Sequence, residues 1–403
     1  MTQLAAQSAP LLPLPRTCPF APPAEYRQLR DQAPVSRVRL PNDGEWAWAL
    51  TRHEDIRAML ADPRFSADRR RPDFPQFVEG ERIIVDVAPT LLTMDPPEHT
   101  AARRAVVGEF TVKRIRALRP RIQQIVDDCV DAMLAGPRPV DLVQALSLPV
   151  PSLVICEMLG VPYADHEFFQ ARTSRMIARD TTQEARQEAF GELQQYLDDL
   201  VTAKEAALGD DLLGRQIQRQ RDTGEGDHPG LVSLAFLLLV AGHETTANMI
   251  SLGTVALLRH PDQRDRMRRD PALTPGAVEE MLRYFTIADL ATTRVATADV
   301  EIAGVTIRAG EGVVGLSNAA NRDPEVFTDP DTFDITRPAR HHVSFGYGPH
   351  QCLGQNLARL ELQTVFDTLF ARIPGLRLVG DVEDVPFKDD AFIFGVHALP
   401  VTW

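Results

Sequence analysis

Cysteine is scarce in this chain and is not arranged for cross-linking. The four cysteines, Cys18, Cys129, Cys156 and Cys352, are far apart in 403 residues and form no Cys-x-x-Cys pair. Disulfide scaffolds and zinc ribbons need closely spaced cysteines, so the sequence excludes both classes. A single cysteine that acts alone remains compatible with this spacing.

Long apolar runs and an excess of positive charge are also lacking. The longest uninterrupted apolar stretch, residues 234–242, is about half of the ~20 residues that a membrane span needs. The first residues lack a charged region and are interrupted by Pro10, Pro13 and Pro15, which does not fit a signal peptide. The net charge is −13, whereas nucleic acid and anionic membranes select basic surfaces. We therefore expect a cytoplasmic protein that binds neither nucleic acid nor membrane.

Helical periodicity is present over most of the chain. Apolar residues recur at three-to-four spacing in residues 99–135, 166–180 and 181–209. Strand-like alternation is limited to residues 46–51, 300–316 and 392–403. The polar segment 209–230 is predicted to be a surface loop, with an interdomain linker as the alternative. These patterns predict a mainly α protein with small β elements, preceded by a flexible, proline-rich N-terminus of residues 1–20.

Residues 230–259 are predicted to form one apolar helix that ends before Pro261. At about 30 residues it would be ~45 Å long and would have to cross the core of a soluble protein. Its centre reads Ala-Gly-His-Glu-Thr-Thr, residues 241–246, where packing would favour leucine. In one interpretation Thr245 bonds back to a carbonyl oxygen of the preceding turn and Glu244 is satisfied locally. In the other, the small residues leave a notch beside a flat ligand, where Glu244 and Thr245 relay protons.

Glu280 and Arg283 are three residues apart on another predicted helix, so they can meet on one face. The pair could be a surface ion pair worth about 0.3 kcal/mol. Alternatively, Arg337 joins them in a buried charged network that supports the structure.

Cys352 lies in the segment Phe-Gly-Tyr-Gly-Pro-His-Gln-Cys-Leu-Gly, residues 345–354. Its three glycines predict either a close backbone approach to another group or left-handed φ values around the sulfur. Free amide groups there can hydrogen-bond a thiolate and tune its electron donation, as they do for a lone thiolate on haem iron. The alternative is a metal cluster of His341, His342, His350 and Cys352, whose spacing matches no standard zinc pattern.

Together and in this order, the three motifs resemble those of the cytochrome P450 family. The family patterns F-G-x-G-x-H-x-C-x-G, A-G-x-[DE]-T and E-x-x-R are matched by residues 345–354, 241–245 and 280–283. The resemblance runs from about residue 20 to the last residue and is nearest to soluble actinobacterial enzymes. It implies the cytochrome P450 fold, in a single large domain of residues 21–403 that is mainly helical with small β elements.

The resemblance implies haem b as the cofactor, with Cys352 as the axial ligand of the iron. Two carboxylates need cationic partners, and the family places four residues of this kind at the haem propionates: His99, Arg103, Arg294 and His350. The other haem contacts that it implies are Phe345, Gly346, Ala241 and Gly354. Glu280, Arg283 and Arg337 would support the cysteine loop rather than take part in the chemistry.

The activity implied is hydroxylation of a hydrophobic small molecule with O2, in which Thr245 and Glu244 are catalytic. Polyketides or macrolides, sterol-like molecules and xenobiotics are the substrate classes that the resemblance suggests. The chain has no flavin or nicotinamide fingerprint and no four-cysteine set for an iron–sulfur cluster. Electrons would therefore come from a ferredoxin and its NAD(P)H-dependent reductase. An H2O2-using peroxygenase and a non-catalytic haem sensor are the alternatives.

The walls of the substrate pocket are expected from four largely apolar stretches, which predict a hydrophobic substrate. The candidate residues are Ile84, Val87, Leu237, Val240, Ala241, Ile287, Leu290, Ile393 and Phe394.

Two groups of basic residues have a solvated surface as the alternative interpretation. Arg104, Lys113, Arg114, Arg340 and Arg359 are candidates for a basic surface that receives an acidic ferredoxin. Residues 69–71, three consecutive arginines, would contact a polar or acidic group at the pocket entrance. We expect the protein to be a monomer.

Overall fold

The computed structural model describes residues 9–41, 45–77, 89–389 and 391–403. Helices dominate these residues, as the periodicity predicts. In chain order the α-helices are α1 (Ala24–Gln32), α2 (His53–Ala61), α3 (Glu98–Val106), α4 (Val112–Ala117), α5 (Arg119–Ala135), α6 (Pro149–Leu159), α7 (His166–Ile177), α8 (Gln183–Ala206), α9 (Leu212–Thr223), α10 (His228–Arg259), α11 (Pro261–Arg269), α12 (Thr274–Phe285), α13 (Ser317–Ala320) and α14 (Gln355–Arg372).

The strands are short. They are β1 (Val35–Arg39), β2 (Trp46–Leu50), β3 (Phe65–Ser66), β4 (Val140–Asp141), β5 (Thr293–Ala296), β6 (Val300–Ile302), β7 (Val305–Ile307), β8 (Gly312–Gly315), β9 (Arg377–Leu378) and β10 (Pro400–Thr402). One sheet has the order β1-β2-β8-β5-β3, in which β2 and β8 run parallel. A second has the order β4-β10-β9, and β6 pairs with β7. Of the C-terminal segment predicted as strand, residues 392–403, only β10 forms an extended strand.

The long apolar helix α10 begins two residues earlier than the sequence predicts. The Asp227 side chain accepts a hydrogen bond from the Gly230 amide at 2.9 Å, and Pro229 occupies the first turn, where it loses no helical bond. Length and hydropathy alone would allow α10 to cross a membrane, but 56% of its most apolar window is buried inside the protein. It packs against α6, α8 and α14, and so forms the centre of a helical core.

One loop prediction and one helix prediction need correction. The segment 209–230 contains α9, because Asp211 caps the helix by accepting from the Gly214 amide and Gly224 ends it at φ 71°. The buried side chains Leu212, Leu213 and Ile217 supply its apolar face. The predicted helix over 99–135 divides into α3, α4 and α5, because a 3-10 turn and an extended Thr111 interrupt it.

Part of the proline-rich N-terminus packs against the rest of the first unit. Leu12 is fully buried in a cluster with Tyr26 and Val38. The Leu12 amide donates to the Arg39 carbonyl oxygen at 2.9 Å, and the Arg39 amide donates to the Pro10 carbonyl oxygen at 2.8 Å. These bonds lay residues 10–12 along the end of β1.

Contacts divide the chain into two compact units. The first comprises residues 1–101, 282–333 and 338–352, and the second comprises residues 102–281, 334–337 and 353–403. The five-stranded sheet and Cys352 belong to the first unit. Helix α10 and its neighbours belong to the second.

Candidate active site

The cysteine loop, residues 345–354, is held by its own backbone. The Cys352 amide donates to the Phe345 carbonyl oxygen at 2.8 Å. Gly346 and Gly348 have φ values of 68° and 69°, in the left-handed region where a side chain is strained. A Cβ on Gly348 would also lie 2.5 Å from the Leu60 carbonyl oxygen. The loop therefore requires glycine at both positions.

Gly354 is a different case, because its φ is −80° and no backbone strain applies to it. A Cβ built on Gly354 would meet no described atom within 4 Å, and the nearest atom to one on Gly346 is 4.0 Å away. The space beside the loop at these two glycines is thus open to a further group.

The ring of His350, in this loop, packs against the ring of His99 at an interplanar angle of 30°. The ring centroids of His99 and His350 are 4.0 Å apart, and His350 Nδ1 lies 3.2 Å from the Leu91 carbonyl oxygen. Among the residues that the structure describes, no three His, Cys, Asp or Glu side chains are placed to hold one metal ion. The alternative of a metal cluster between the histidines and Cys352 therefore has no support.

Arg294 on β5 is a buried cation in the same unit. Its guanidinium donates to the Thr293 carbonyl oxygen at 2.7 Å and forms no ion pair with any carboxylate in the described part of the chain. Burial, and then the nearby charge of Arg69, lower its pKa to about 10, although Asp95 opposes them. A buried charge without a partner is costly, so this position favours a bound anion. A haem propionate satisfies that requirement.

Helix α10 presents one open face in the middle of its buried length. Ala241 is exposed, and Leu237, Val240 and Thr245 are half-buried, whereas Glu244 is buried. The Thr245 hydroxyl donates to the Ala241 carbonyl oxygen at 2.9 Å, which is the back-bonding that the first interpretation of this motif predicts. The open face also fits the second interpretation, a notch of small residues with room for a flat ligand.

Glu244 is held by two side chains of the second unit. Lys388 forms an ion pair with its Oε1, and the Asn248 amide donates to the same oxygen at 3.2 Å. Burial raises the pKa of Glu244, but the Lys388 ammonium, its hydrogen bond and the adjacent His243 outweigh burial and hold the pKa below the usual range. Glu244 is therefore an ionised, locally satisfied carboxylate in this structure.

The residues of the E-x-x-R motif are fully buried, which excludes a surface ion pair. Glu280 accepts from Arg337 Nε at 3.2 Å and from the Asp334 amide at 3.0 Å. The Arg283 guanidinium donates to the Asn321 carbonyl oxygen at 2.8 Å. The structure thus brings Glu280 and Arg337 together in a buried charged contact, and Arg283 ties backbone segments of the first unit.

The remaining predicted site residues lie as follows. Ile84 and Val87 lie outside the described residues. The side chains that are half-buried are Phe345, Arg103, Ile287, Leu290 and Ile393. Phe394 is buried and stacks on Phe387, with ring centroids 5.9 Å apart.

The predicted basic surface is only partly available. Arg104, Lys113, Arg114 and Arg340 are exposed. Arg359 instead forms a two-bond ion pair with Glu279, at 2.6 and 3.0 Å, and is mostly buried. In the arginine run of residues 69–71, two members pair with the neighbouring Asp68 and Asp73, which fits a solvated loop.

A lone cysteine in a glycine-constrained loop, with a buried cation in the same unit that favours an anion, is typical of haem-thiolate proteins. The sequence profile described as cytochrome P450 matches residues 168–373. The chain belongs to the cytochrome P450 family.

Relatives match along almost the whole chain. Pentalenic acid synthase of Streptomyces avermitilis is 51% identical over 397 residues, which cover 98% of each protein. Vitamin D3 dihydroxylase of Streptomyces griseolus is 48% identical over 396 residues, 98% of this chain and 97% of that protein. The crystal structure of cytochrome P450 MoxA from Nonomuraea recticatena matches with a TM-score of 0.91 and 63% identity, covering 97% of this chain and 98% of that one. The predicted cytochrome P450 fold, haem b cofactor and monooxygenase activity are confirmed.

Sequence reasoning missed Lys388 and Asn248. Lys388 is 144 residues from Glu244 and belongs to no motif, so no local pattern indicates their contact. Asn248 could have been found, because it lies one helical turn after Glu244 on the same face of the helix.

Proposed function

We propose that this protein hydroxylates a hydrophobic small molecule of the polyketide, sterol-like or xenobiotic type. One oxygen atom of O2 enters a C–H bond of the substrate and the other leaves as water, with two electrons and two protons consumed. The observation that carries this proposal is the open apolar face of α10 around Leu237, Val240 and Ala241, in a helix otherwise buried. The relatives, which include a vitamin D3 dihydroxylase, support a hydrophobic substrate.

Cys352 is the proposed axial ligand of haem b, and Arg294, His99, His350 and Arg103 are its proposed propionate partners. When bound, haem b supplies the binding and activation of O2. The open space at Gly346 and Gly354 and the unpaired charge of Arg294 fit this group. Phe345 and Ala241 complete the proposed contacts with haem. Glu280, Arg283 and Arg337 hold the fold around the loop.

Thr245 and Glu244 are the proposed catalytic residues. The Thr245 hydroxyl donates its proton to the Ala241 carbonyl oxygen, so its own oxygen remains available to accept from a water or a reacting group. The Glu244 carboxylate takes protons from solvent and passes them to the site. Ile287, Leu290, Ile393 and Phe394 are proposed to contact the substrate with the residues of α10.

The proposed electron source is a ferredoxin with an NAD(P)H-dependent reductase. The exposed side chains of Arg104, Lys113, Arg114 and Arg340 form the basic surface that would receive an acidic ferredoxin. We further propose that residues 21–403 act as one catalytic domain, in a cytoplasmic monomer.

The spectrum of the reduced CO complex tests the ligand assignment. We expect the red-shifted Soret band of a thiolate ligand in haem-loaded protein and its loss in Cys352→Ala. Folded, haem-loaded protein without this band would contradict the proposal.

Haem retention tests the propionate partners. Arg294→Gln should speed haem transfer to apomyoglobin about tenfold, the equivalent of one charge-assisted bond. Arg70→Gln, which removes an exposed arginine, should leave the rate unchanged.

Turnover under labelled oxygen tests the reaction. With 18O2, NADPH, ferredoxin and reductase, the hydroxylated product should carry one labelled oxygen, and Thr245→Ala should divert O2 to H2O2. Undiminished activity with H2O2 alone, together with no effect of Thr245→Ala, would favour a peroxygenase. Ferric protein whose spin state responds to no hydrophobic ligand would favour a sensor.

A further inference from the structure

The ion pair between Glu244 and Lys388 joins the middle of α10 to a segment near the C-terminus. Both side chains are nearly buried, at 5% and 14% exposure. Removing two charges from water costs several kcal/mol per ion unless geometry and further bonds compensate. Asn248 supplies such a bond to Glu244, and His243 is the other titratable group beside it. The pair is therefore held at a defined position.

Lys388 itself is held by a hairpin, which we call the C-terminal hairpin and define as residues 386–389 and 391–397. The Lys388 amide donates to the Gly395 carbonyl oxygen at 2.9 Å, and the His397 amide donates to the Pro386 carbonyl oxygen at 2.8 Å. The stacked rings of Phe387 and Phe394 fix the two strands of the hairpin to each other. Lys388 can therefore leave Glu244 only if its side chain turns away or the hairpin moves.

The C-terminal hairpin is also bonded to the connection between α7 and α8. Ala391 and Ala178 form an antiparallel bridge, and the Phe392 amide donates to the Ile177 carbonyl oxygen at 3.4 Å. The Arg186 guanidinium pins this connection by donating to the carbonyl oxygens of Met176, Ala178 and Thr181. The connection and the hairpin are thus in direct backbone contact.

Gly395 brings the hairpin directly against α10. A Cβ at this position would lie 1.9 Å from Asn248 Oδ1 and 2.2 Å from its Cγ. Asn248 is one of the two side chains that hold Glu244. The hairpin therefore meets both partners of Glu244: it carries Lys388, and its Gly395 lies against Asn248.

We propose that the C-terminal hairpin is a clamp on the proton-donating residue, with Lys388 as the positioning residue. The inference rests on the proposed function of Glu244. In the closed clamp Glu244 is a carboxylate whose Oε1 is occupied by Lys388 and Asn248. A substrate that contacts Ile393 or displaces the α7–α8 connection moves the hairpin and releases Glu244. Glu244 Oε1 then accepts one proton from solvent and passes it on, which restores the carboxylate.

Lysine spectroscopy tests the clamp without any turnover. The chain has only three lysines, Lys113, Lys204 and Lys388. The sample is haem-loaded protein, reduced and bound to CO, with 13C at the Cε atom of every lysine. The NMR signal that is missing from the spectrum of Lys388→Arg is the signal of Lys388. We expect this signal to shift in Glu244→Gln and in Gly395→Ala. It should not move in the matched control Gly191→Ala, where α8 has room for the methyl group.

A second measurement follows proton supply through the fraction of consumed O2 that is released as H2O2, driven by NADPH, ferredoxin and reductase. Lys388→Met removes the cation beside Glu244, so the pKa of Glu244 rises. The pH at which the H2O2 fraction changes should therefore be higher in Lys388→Met than in the parent. In Lys388→Arg, which keeps the cation, this pH should return to the parent value. A structural role alone would not move this pH.

The outcomes separate the two proposals. If Glu244→Gln changes neither the H2O2 fraction nor its pH profile, the proposed function of Glu244 fails. If Glu244→Gln changes them but Lys388→Met does not, only the clamp fails. A Lys388 signal that stays in place in Gly395→Ala would also overturn the clamp, because the hairpin would then not position the lysine.

Discussion

Gly348 and Gly346 share a left-handed backbone but differ in their surroundings. Only Gly348 lies against the Leu60 carbonyl oxygen. An alanine in the left-handed region costs about 1–2 kcal/mol, and a clash with backbone adds to this cost because backbone cannot rotate away.

We therefore expect Gly348→Ala to destabilise the protein more than Gly346→Ala. Gly346→Ala should lower the free energy of unfolding by at least about 1 kcal/mol, the part that comes from backbone strain. Gly348→Ala should lower it by about 3 kcal/mol or more, in the range of a severe overpacking change. Urea unfolding of the haem-loaded proteins measures both values. Equal losses of unfolding free energy in the two variants would show that the backbone at Leu60 moves away from the added methyl group without an energetic cost.

Glu361 on α14 is a fully buried carboxyl group whose Oε2 has no hydrogen-bond partner in the described part of the chain. Burial raises its pKa to about 8. The folded state thus prefers the protonated form, while the unfolded state ionises near its ordinary pKa. Stability is lost as pH rises from the unfolded pKa towards 8, because the unfolded state then holds fewer protons.

Glu361→Gln should remove this pH dependence. At pH 8 the variant should be more stable than the parent by on the order of 3 kcal/mol, whereas at pH 4.5 the two should be alike. Thermal unfolding at the two pH values measures the difference. A stability gain that is the same at both pH values would contradict the titration of Glu361.

At the scale of the element, α10 shows what sequence can and cannot predict. Its apolar run and Pro261 gave its extent to within two residues, because helix length and helix ends depend on local chemistry. The open face at Ala241 was also predictable from small residues in an apolar helix. The partner of Glu244 was not, because the contact with Lys388 depends on the path of the C-terminal hairpin. Helix α9 was missed because its few apolar residues, Leu212, Leu213 and Ile217, lie in an otherwise largely polar segment.

The start of α10 is tied to α8 by His228. Its Nδ1 lies 3.0 Å from Glu205 and its Nε2 lies 3.1 Å from Asp198. The hydrogen bond with Glu205 is the largest cause that raises the pKa of His228, and Asp198 adds to it against partial burial. Because the folded pKa is raised, the stabilisation is fully present below the unfolded pKa and is lost as pH rises through the folded pKa.

His228→Asn should therefore lower stability at pH 5.5 and leave it unchanged at pH 9. The expected loss at pH 5.5 is about 0.5 kcal/mol, since the three groups are partly exposed and solvent screens them. Thermal unfolding at low salt checks this value, and 0.5 M salt should reduce the difference. A loss of the same size at pH 9 would assign His228 a packing role instead.

At the scale of the whole molecule, the distribution of surface charge determines where an acidic partner protein can bind. The chain carries 56 acidic and 43 basic residues, so its net charge is negative. Arg104, Lys113 and Arg114 lie within eleven residues along the chain, on or beside α3 and α4. Arg114 is partly neutralised by Glu109 at 2.9 Å. Arg104 and Lys113 are accordingly the more favourable contacts for an acidic ferredoxin.

The double variant Arg104→Ala, Lys113→Ala should weaken the response to ferredoxin and flatten its salt dependence. We expect the KM for ferredoxin to rise about threefold to tenfold at low salt, since rim charges mainly set the association rate. At 0.5 M salt the variant and the parent should converge. Arg268→Ala on α11 is the control, because it removes an exposed arginine outside this surface. A KM that is unchanged at low salt would rule out this surface for docking.

The packing of Leu12 has a consequence for solubility. Strand β1 is the outer strand of the five-stranded sheet, and an uncovered outer strand is a template for pairing with another chain. Residues 10–12 occupy the end of that strand through their bonds to Arg39. A chain that begins at residue 13 would lose Leu12 from its buried cluster and would expose this edge, so lower stability and aggregation on storage are the defects to be expected.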